Sequence, residues 1–362
     1  MTRVRARGWR RAVVVVAVLA ALPACSAAVT GPAATLTVMT RNLYLGTGLD
    51  NLVGVSSLPE LVAAVDEDWA NVLANDFPTR AAALAEEIAA ARPDVVGLQE
   101  VTLWRDQTPG DIQTHPGPDA THVVLDQLAV LRRELGTRGV PYTAVAVSTN
   151  ADLEVARRDD ARLVDVRITD RDVILVRSDV ADRTGNPRHG HYDAVRMLPS
   201  WPGPIASTRG WASIDYSPDR RTTLRILTTH LEVSGPRAVR IQERQAEEAV
   251  DLVAASPHPV VALGDFNAPA DRTASTYRRL TEGFDDAWET ARPAEPGATC
   301  CQDERLDDTT GQEELRFDLV LVPRGSRVDD VARTGAEPFR AAPAPLWASD
   351  HAGVTARVTV AR

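Results

Sequence analysis

The sequence contains no lysine, so all 40 of its basic residues are arginine. This reads as compositional bias rather than chemistry. The formal net charge is −10, and five of the arginines (Arg3, Arg5, Arg7, Arg10, Arg11) crowd the N-terminus. Without them 35 basic residues face 50 acidic ones, a balance of −15. Non-specific binding along a nucleic acid rests on basic side chains displacing counterions, so a body this acidic is not built for it. Aromatics make up only 5% of the chain, and no basic stripe interleaved with aromatics appears. Metal-assisted chemistry on a single phosphate stays open, because a bound cation changes the local field. No exposed apolar hairpin suited to entering a membrane is legible. Linkers, repeats and low-complexity tracts are absent after residue 31.

What is present begins with a targeting signal. Five arginines, an uncharged apolar run at 12–22 and small residues after it form a bacterial-type secretory signal over residues 1–31. The run is shorter than the ~20 residues that span a bilayer. Leu22-Pro23-Ala24-Cys25 resembles a lipobox, in which Cys25 would be lipidated and become the new N-terminus. Pro23 is an unusual occupant, and Ser26-Ala27-Ala28 offers an ordinary cleavage site instead. The lipoprotein reading is preferred, which places residues 32–362 outside the cell or on its surface, attached through the Cys25 lipid. No feature points to a protein partner, and a monomer is expected. The other two cysteines, Cys300 and Cys301, are adjacent. In an oxidising compartment they either close a strained ring or stay as thiols on a loop, and no zinc spacing surrounds them.

The hydrophobic residues, 44% of the chain, suffice for a substantial core. Alternation predicts strands at 35–40, 94–99, 142–147, 162–169, 173–176, 210–216, 222–229, 260–263, 317–322 and 354–360. Helical patterns occupy 59–75, 79–91, 123–135 and 237–255. Residues 105–120, 178–209 and 291–314 read as loops, and the long central one as functional. Neighbouring strand pairs alternate with helices, which suggests two sheets packed face to face and flanked by helices in one domain.

Polar residues collect where these strands end: Asn42, Glu100, His230, Asp265, Asn267 and the pair Asp350-His351. Asp265 and Asn267, two apart at the end of the apolar stretch Val260-Val261-Ala262-Leu263, should converge on one point, as alternate strand residues do. That point suits a hard cation or a phosphate, because Asp supplies an anionic oxygen and Asn both donates and accepts. The blander explanation is an Asx-rich turn closing a strand. One such residue carries little meaning, but a whole series is hard to explain by turn chemistry.

At this point the chain resembles the endonuclease/exonuclease/phosphatase superfamily. The matching motifs are Thr40-Arg41-Asn42, Gly97-Leu98-Gln99-Glu100-Val101, Thr229-His230-Leu231-Glu232, Gly264-Asp265-Phe266-Asn267, Arg316-Phe317-Asp318-Leu319-Val320 and Ser349-Asp350-His351-Ala352-Gly353-Val354. They stand in the family's order across residues 36–358, and the ordered set is far more specific than any one of them. The resemblance implies a DNase-I-like four-layered α/β sandwich of two mixed sheets flanked by helices, and Mg²⁺- or Mn²⁺-dependent phosphoester cleavage. It implies Glu100 as the leading metal ligand, with Asn42 and Asp350 beside it. His230 would donate a proton or hydrogen bond to the phosphoryl group, oriented by Asp172, with Asp170 at the same parity left open. His351 would be the second imidazole, oriented by Asp318. Each carboxylate is expected to raise the pKa of its histidine. Asp265 and Asn267 would position the attacking water and stabilise the transition state. Whether His351 or Asp265 is the general base is left open.

The substrate is a phosphorylated compound of unstated type: a nucleic acid, a phospholipid headgroup as for a sphingomyelinase-like phosphodiesterase, or a small phosphoester. Arg41, Arg105, Arg171, Arg188 and Arg209 are candidates to line a local phosphate site. The competing class is a non-catalytic surface binding protein on the same fold, which would be expected to have lost at least one of Glu100, His230, Asp265, Asn267 and His351. His189-Gly190-His191 has i, i+2 metal spacing but reads better as loop surface or a substrate-facing pair.

Overall fold

The computed structural model describes residues 33–361 apart from 234, 236, 237, 310, 312 and 341–344. The secretory signal and Cys25 lie outside the described residues. β1 (Ala33–Asn42) is followed by α1 (Leu58–Ala74) and α2 (Phe77–Ala91). Next come β2 (Val95–Gln99), β3 (Leu103–Gln107), β4 (His122–Asp126) and α3 (Gln127–Thr137). A long hairpin, β5 (Tyr142–Asp159) and β6 (Arg162–Arg177), leads to β7 (Thr184–His191), β8 (Arg196–Leu198), β9 (Ile205–Ser207), β10 (Gly210–Tyr216) and β11 (Leu224–His230). The chain closes with α4 (Val239–Ala254), β12 (Val260–Asp265), α5 (Ser275–Gly283), β13 (Phe284–Asp286), α6 (Ala287–Ala291), β14 (Asp318–Pro323), β15 (Arg327–Thr334) and β16 (Gly353–Ala361).

The strands form two large mixed sheets. The first runs β15-β16-β1-β2-β6-β3-β4, with β5 on the other edge of β6; the second runs β13-β14-β12-β11-β10-β7. Their facing residues make one apolar layer, including Leu36, Val38, Val95, Ile174, Ile226, Val261, Leu263, Val320 and Val358. The alternate residues of the first sheet (Met39, Val96, Leu98, Val173) meet Phe77, Leu84 and Ile88 of α2 and Leu131 of α3. Those of the second (Leu227, Ala262, Leu319, Leu321) meet Ala246 and Ala249 of α4 and Tyr277 and Leu280 of α5. The result is the expected four-layered α/β sandwich, and period-two alternation is what assigns each strand residue to its layer. Close approach of the sheets depends on Gly97, where a Cβ would fall 2.6 Å from Thr228 Oγ1 and 3.0 Å from Leu263 Cβ.

Several local expectations are corrected. Residues 122–126 are strand rather than helix. The β-branched pair Val123-Val124 joins the sheet edge, and Asp126 caps α3 by accepting from the Leu128 N–H at 3.1 Å. The three short strands expected over 142–176 are one continuous hairpin, β5–β6, because residues 148–149 and 152–159 keep pairing across the ladder. Residues 178–209, expected as loop, contain β7 and the small hairpin β8–β9. That hairpin and the loop joining its strands expose Met197 and Trp201, an apolar feature that the sequence did not reveal.

Candidate active site

β2 and β3 both pair antiparallel with β6, at Val173–Val176 and Asp165–Thr169, so they lie in tandem along it. Between them the ladder is interrupted. Strict alternation would send Glu100 to the helix side with Val96 and Leu98. Instead Glu100 adopts a left-handed φ of 56°, which turns the side chain back into the cleft. A non-glycine residue at positive φ is costly and persists where its surroundings fix it. Here two donors do so: Leu45 N–H reaches Oε2 at 2.8 Å, and Asn42 Nδ2 reaches Oε1 at 3.0 Å.

Asn42 ends β1, beside β2, and its amide is a clamp. Nδ2 donates to Glu100 and also to Asp265 Oδ2 at 3.1 Å, while Oδ1 accepts from Tyr44 N–H at 2.8 Å. Tyr44 N–H fixes which way the amide faces. Asn42 therefore faces the two carboxylates as a donor.

Asp265 lies at the centre. One of its oxygens, Oδ2, faces Asn42 Nδ2, His230 Nε2 at 3.4 Å and His351 Nε2 at 3.7 Å. The other accepts from the backbone of Asn267 at 2.9 Å. Asn267 has a φ of 49°, so this pair converges through an Asx turn and not through strand parity. The Asn267 amide then lies 2.9 Å from His230 Nε2 and donates to Leu231 O at 3.0 Å. Burial is the main reason the Asp265 carboxyl is pushed up to about 6, opposed by His351.

The two imidazoles are held differently. His351 Nδ1 donates to Asp318 Oδ2 at 2.7 Å. Burial opposes its charged form, but Asp318, Asp265 and Asp350 together hold its pKa well above the ordinary value. His230 Nδ1 instead faces an Arg209 guanidinium nitrogen at 2.9 Å. Arginine only donates, and the Asn267 amide nitrogen at Nε2 is a donor as well, so both ring nitrogens face donors and the neutral ring is favoured. Burial first, then Arg209 and His351, push the His230 pKa well below its ordinary value.

The expectation that Asp172 orients His230 and raises its pKa is thereby corrected. Asp172 and Asp170 share Asn150 Nδ2, at 3.0 and 3.3 Å, and Arg209 is the cation whose charge reaches both. Sequence reasoning had Arg209 only as a phosphate-lining candidate; nothing in its spacing pairs it with His230. Of the other candidates, Arg41 is buried between Glu87, at 3.0 Å, and the His351 carbonyl, and Arg171 is tied to Asp126 at 2.7 Å. Arg105 reaches Thr169 and Arg188 reaches Asn186. His189 and His191 lie on edge strand β7, where His191 Nε2 bonds Thr149 O at 2.6 Å.

A divalent cation fits the acidic side of this cluster. The Glu100 carboxyl is pushed up to about 8 by burial and then by the charge of Asp350, itself raised by burial. Two enclosed carboxylates that repel each other's ionisation are a hard-cation donor set. Ligand atoms of Glu100, His230 and Asp265 lie within 4.8 Å of one another, as do those of Asp265, Asp318 and His351. Cys300 and Cys301 form a disulfide, with Cys301 Sγ 3.8 Å from His351 Nε2. So joined, they offer no thiolate to a metal.

A family model described as the endonuclease/exonuclease/phosphatase family matches residues 69–351. No curated protein matches the chain. Among solved structures, an endonuclease/exonuclease/phosphatase family protein from Bacteroides thetaiotaomicron is similar at 16% identity and TM-score 0.56, covering 91% of this chain and all of that one. Truncated TDP2 from Caenorhabditis elegans is 18% identical with TM-score 0.50, over 90% of this chain and 98% of that one. A mannosyl-6-phosphatase from Bacteroides thetaiotaomicron is 16% identical with TM-score 0.50, over 89% and 99%. At these identities the likeness is one of fold.

Proposed function

The chain belongs to the endonuclease/exonuclease/phosphatase family, whose members are phosphoester hydrolases that generally depend on a divalent metal, and we propose that it is an exported Mg²⁺-dependent phosphoesterase working by in-line attack of water. The observation that carries this reading is the single Asp265 oxygen faced by Asn42, His230 and His351, beside the Glu100–Asp350 pair.

Glu100 and Asp350 would hold the cation, with Asp265 adjacent. When bound, it would supply Lewis-acid stabilisation of charge on the phosphoryl oxygens. Asp265, with a pKa of about 6, is ionised at neutral pH yet close enough to it to accept a proton efficiently, so it serves as the general base on water. His351, held towards its charged form by Asp318, Asp265 and Asp350 against the cost of burial, is placed to stabilise the pentacovalent anion and to protonate the leaving oxygen. His230, neutral, and the Asn267 amide beside it would donate hydrogen bonds to phosphoryl oxygens.

The test is hydrolysis of bis-p-nitrophenyl phosphate by the purified protein with Mg²⁺, Mn²⁺ or EDTA, together with Glu100→Gln. The expected result is metal-stimulated turnover that EDTA abolishes, and a variant that stays folded but no longer responds to Mg²⁺. Equal rates in EDTA and in Mg²⁺ would overturn the assignment. A folded protein inactive on every ester would favour a binding role.

A further inference from the structure

Beside the catalytic cluster lies a cavity of about 1110 Å³, above the ~300–1,000 Å³ usual for small-molecule sites. Glu100, Asp170 and Arg209 are among its lining residues, so it is continuous with the site where the phosphate is placed. The rest is largely apolar. Leu49 and Leu52 come from the turn before α1, Leu61 from α1, Leu153 from β5, and Trp201 and Ile205 from the β8–β9 hairpin. The hairpin is fastened over the cavity by a hydrogen bond from Gly54 N–H to Pro199 O at 2.8 Å. Two lining residues, Val53 and Trp201, remain 38% and 37% exposed, so the rim is apolar as well.

The charges on the wall narrow the occupant further. Asp152 is paired with Arg167, and Glu154 accepts from Ala120 N–H at 2.8 Å. Among the described residues, Arg209 is the single cation on the cavity lining, against the acids Glu100, Asp152, Glu154 and Asp170. A ligand with a second phosphate or carboxylate would meet no counter-charge there. We propose that this cavity binds the alcohol portion of the substrate, and that this portion is a large, uncharged, apolar group such as an alkyl, acyl or isoprenoid chain. The inference rests on the phosphoesterase reading above and assigns that site its substrate class.

The experiment uses purified protein with Mg²⁺ and p-nitrophenyl phosphodiesters of methanol, butanol and octanol as monomers, with p-nitrophenyl thymidine phosphate for comparison. Burying a methylene is worth up to about fourfold. The expected outcome is kcat/KM at least tenfold higher for the octyl than for the butyl ester, with the thymidine ester near the methyl one. Trp201→Ala and Ile205→Asn, neither placed in the catalytic machinery, should flatten this series while leaving the methyl ester within about twofold. Calorimetric binding of octyl and methyl phosphate separates this inference from the catalytic reading. If no ester is hydrolysed but octyl phosphate binds at least tenfold tighter, the cavity stands and the catalysis fails. A flat series with active enzyme, a preferred thymidine ester, or equal binding of the two phosphates overturns the proposal. Zwitterionic phospholipid vesicles identify the source of the chain. Hydrolysis of the vesicle lipid supports a bilayer substrate, and hydrolysis of the monomeric octyl ester alone supports a soluble amphiphile.

Discussion

The His351 corner and the His230 corner of the site are built from the same materials to opposite effect. Both rings are buried, and both approach the same Asp265 oxygen, at 3.7 and 3.4 Å. Burial penalises the charged form of each equally in kind. The neighbours decide the sign. His351 has Asp318 on Nδ1 and two further carboxylates around it, and is held charged; His230 has Arg209 on Nδ1, and is held neutral. One fold thus pushes two imidazoles beside the same carboxylate oxygen in opposite directions, without using a second residue type.

The strongest way to break this comparison is to delete the rings. His351→Ala should cost about 3–4 kcal/mol of transition-state stabilisation and His230→Ala about 2–3, each read as kcat/KM on a phosphodiester at saturating Mg²⁺. The double variant should lose less than the sum, because groups acting on one phosphate are not additive. Strict additivity would mean that the rings do not serve a common transition state.

A smaller effect follows from neutralising the carboxylate behind His351. Asp318→Asn should lower kcat/KM by about 100-fold, less than loss of the ring. The His351 pKa should fall, and the alkaline limb of the pH–rate profile should move to lower pH. An unchanged limb would detach Asp318 from the ring's protonation.

Arg209→Gln should cost only about tenfold, since Arg209 acts on the reaction through His230. Its sharper readout is the His230 ring signal in NMR, which should titrate closer to the ordinary value. The sign for stability follows. A histidine with a depressed folded pKa contributes stability that is complete above about 6.5, its unfolded value, and lost as pH falls through the folded value. Relieving the depression should therefore soften the loss of thermal stability on going from pH 7 to pH 5. A His230 titration identical in both proteins would rule out the assigned partner.

The layers were legible because strand alternation and helix period report burial directly. Leu36 and Val38 alternate with threonines and so mark a buried face, whereas Val95-Val96-Gly97-Leu98 is non-polar throughout, and there the structure decides which residue meets the helices. The strand-end polar residues were legible for the same reason, since an acid after four apolar residues marks an exit from the core. Three things were not. The left-handed turn at Glu100 is imposed by donors at 42 and 45, some 55 residues away in sequence. The amide orientation of Asn42 depends on a backbone N–H at Tyr44. The partner of His230 comes from the stretch before β10, where the sequence reading looked to a carboxylate, Asp172 or Asp170. In each case a contact between distant segments decides, which no local pattern records.

That last case gives the smallest predicted effect and the clearest one. In the sequence reading Asp172 and Asp318 are equivalent, each a carboxylate expected behind an imidazole. The structure separates them. Asp318 Oδ2 bonds the ring, whereas Asp172 Oδ2 bonds Asn150; the second oxygen of each has no hydrogen-bond partner among the described residues. Asp172 is also raised well above the ordinary carboxylate value, by burial and then by Asp170. A carboxyl with a raised folded pKa contributes stability that is complete below about 3.8, its unfolded value, and lost as pH rises through the folded value. Asp172→Asn keeps the shape and the Asn150 contact while removing that loss. The variant should retain kcat/KM within about threefold, and melt at or above the wild-type temperature at pH 8, with the difference shrinking at pH 4. A loss of activity as large as that of Asp318→Asn would restore the symmetry read from the sequence and remove Arg209 from its assigned place beside His230.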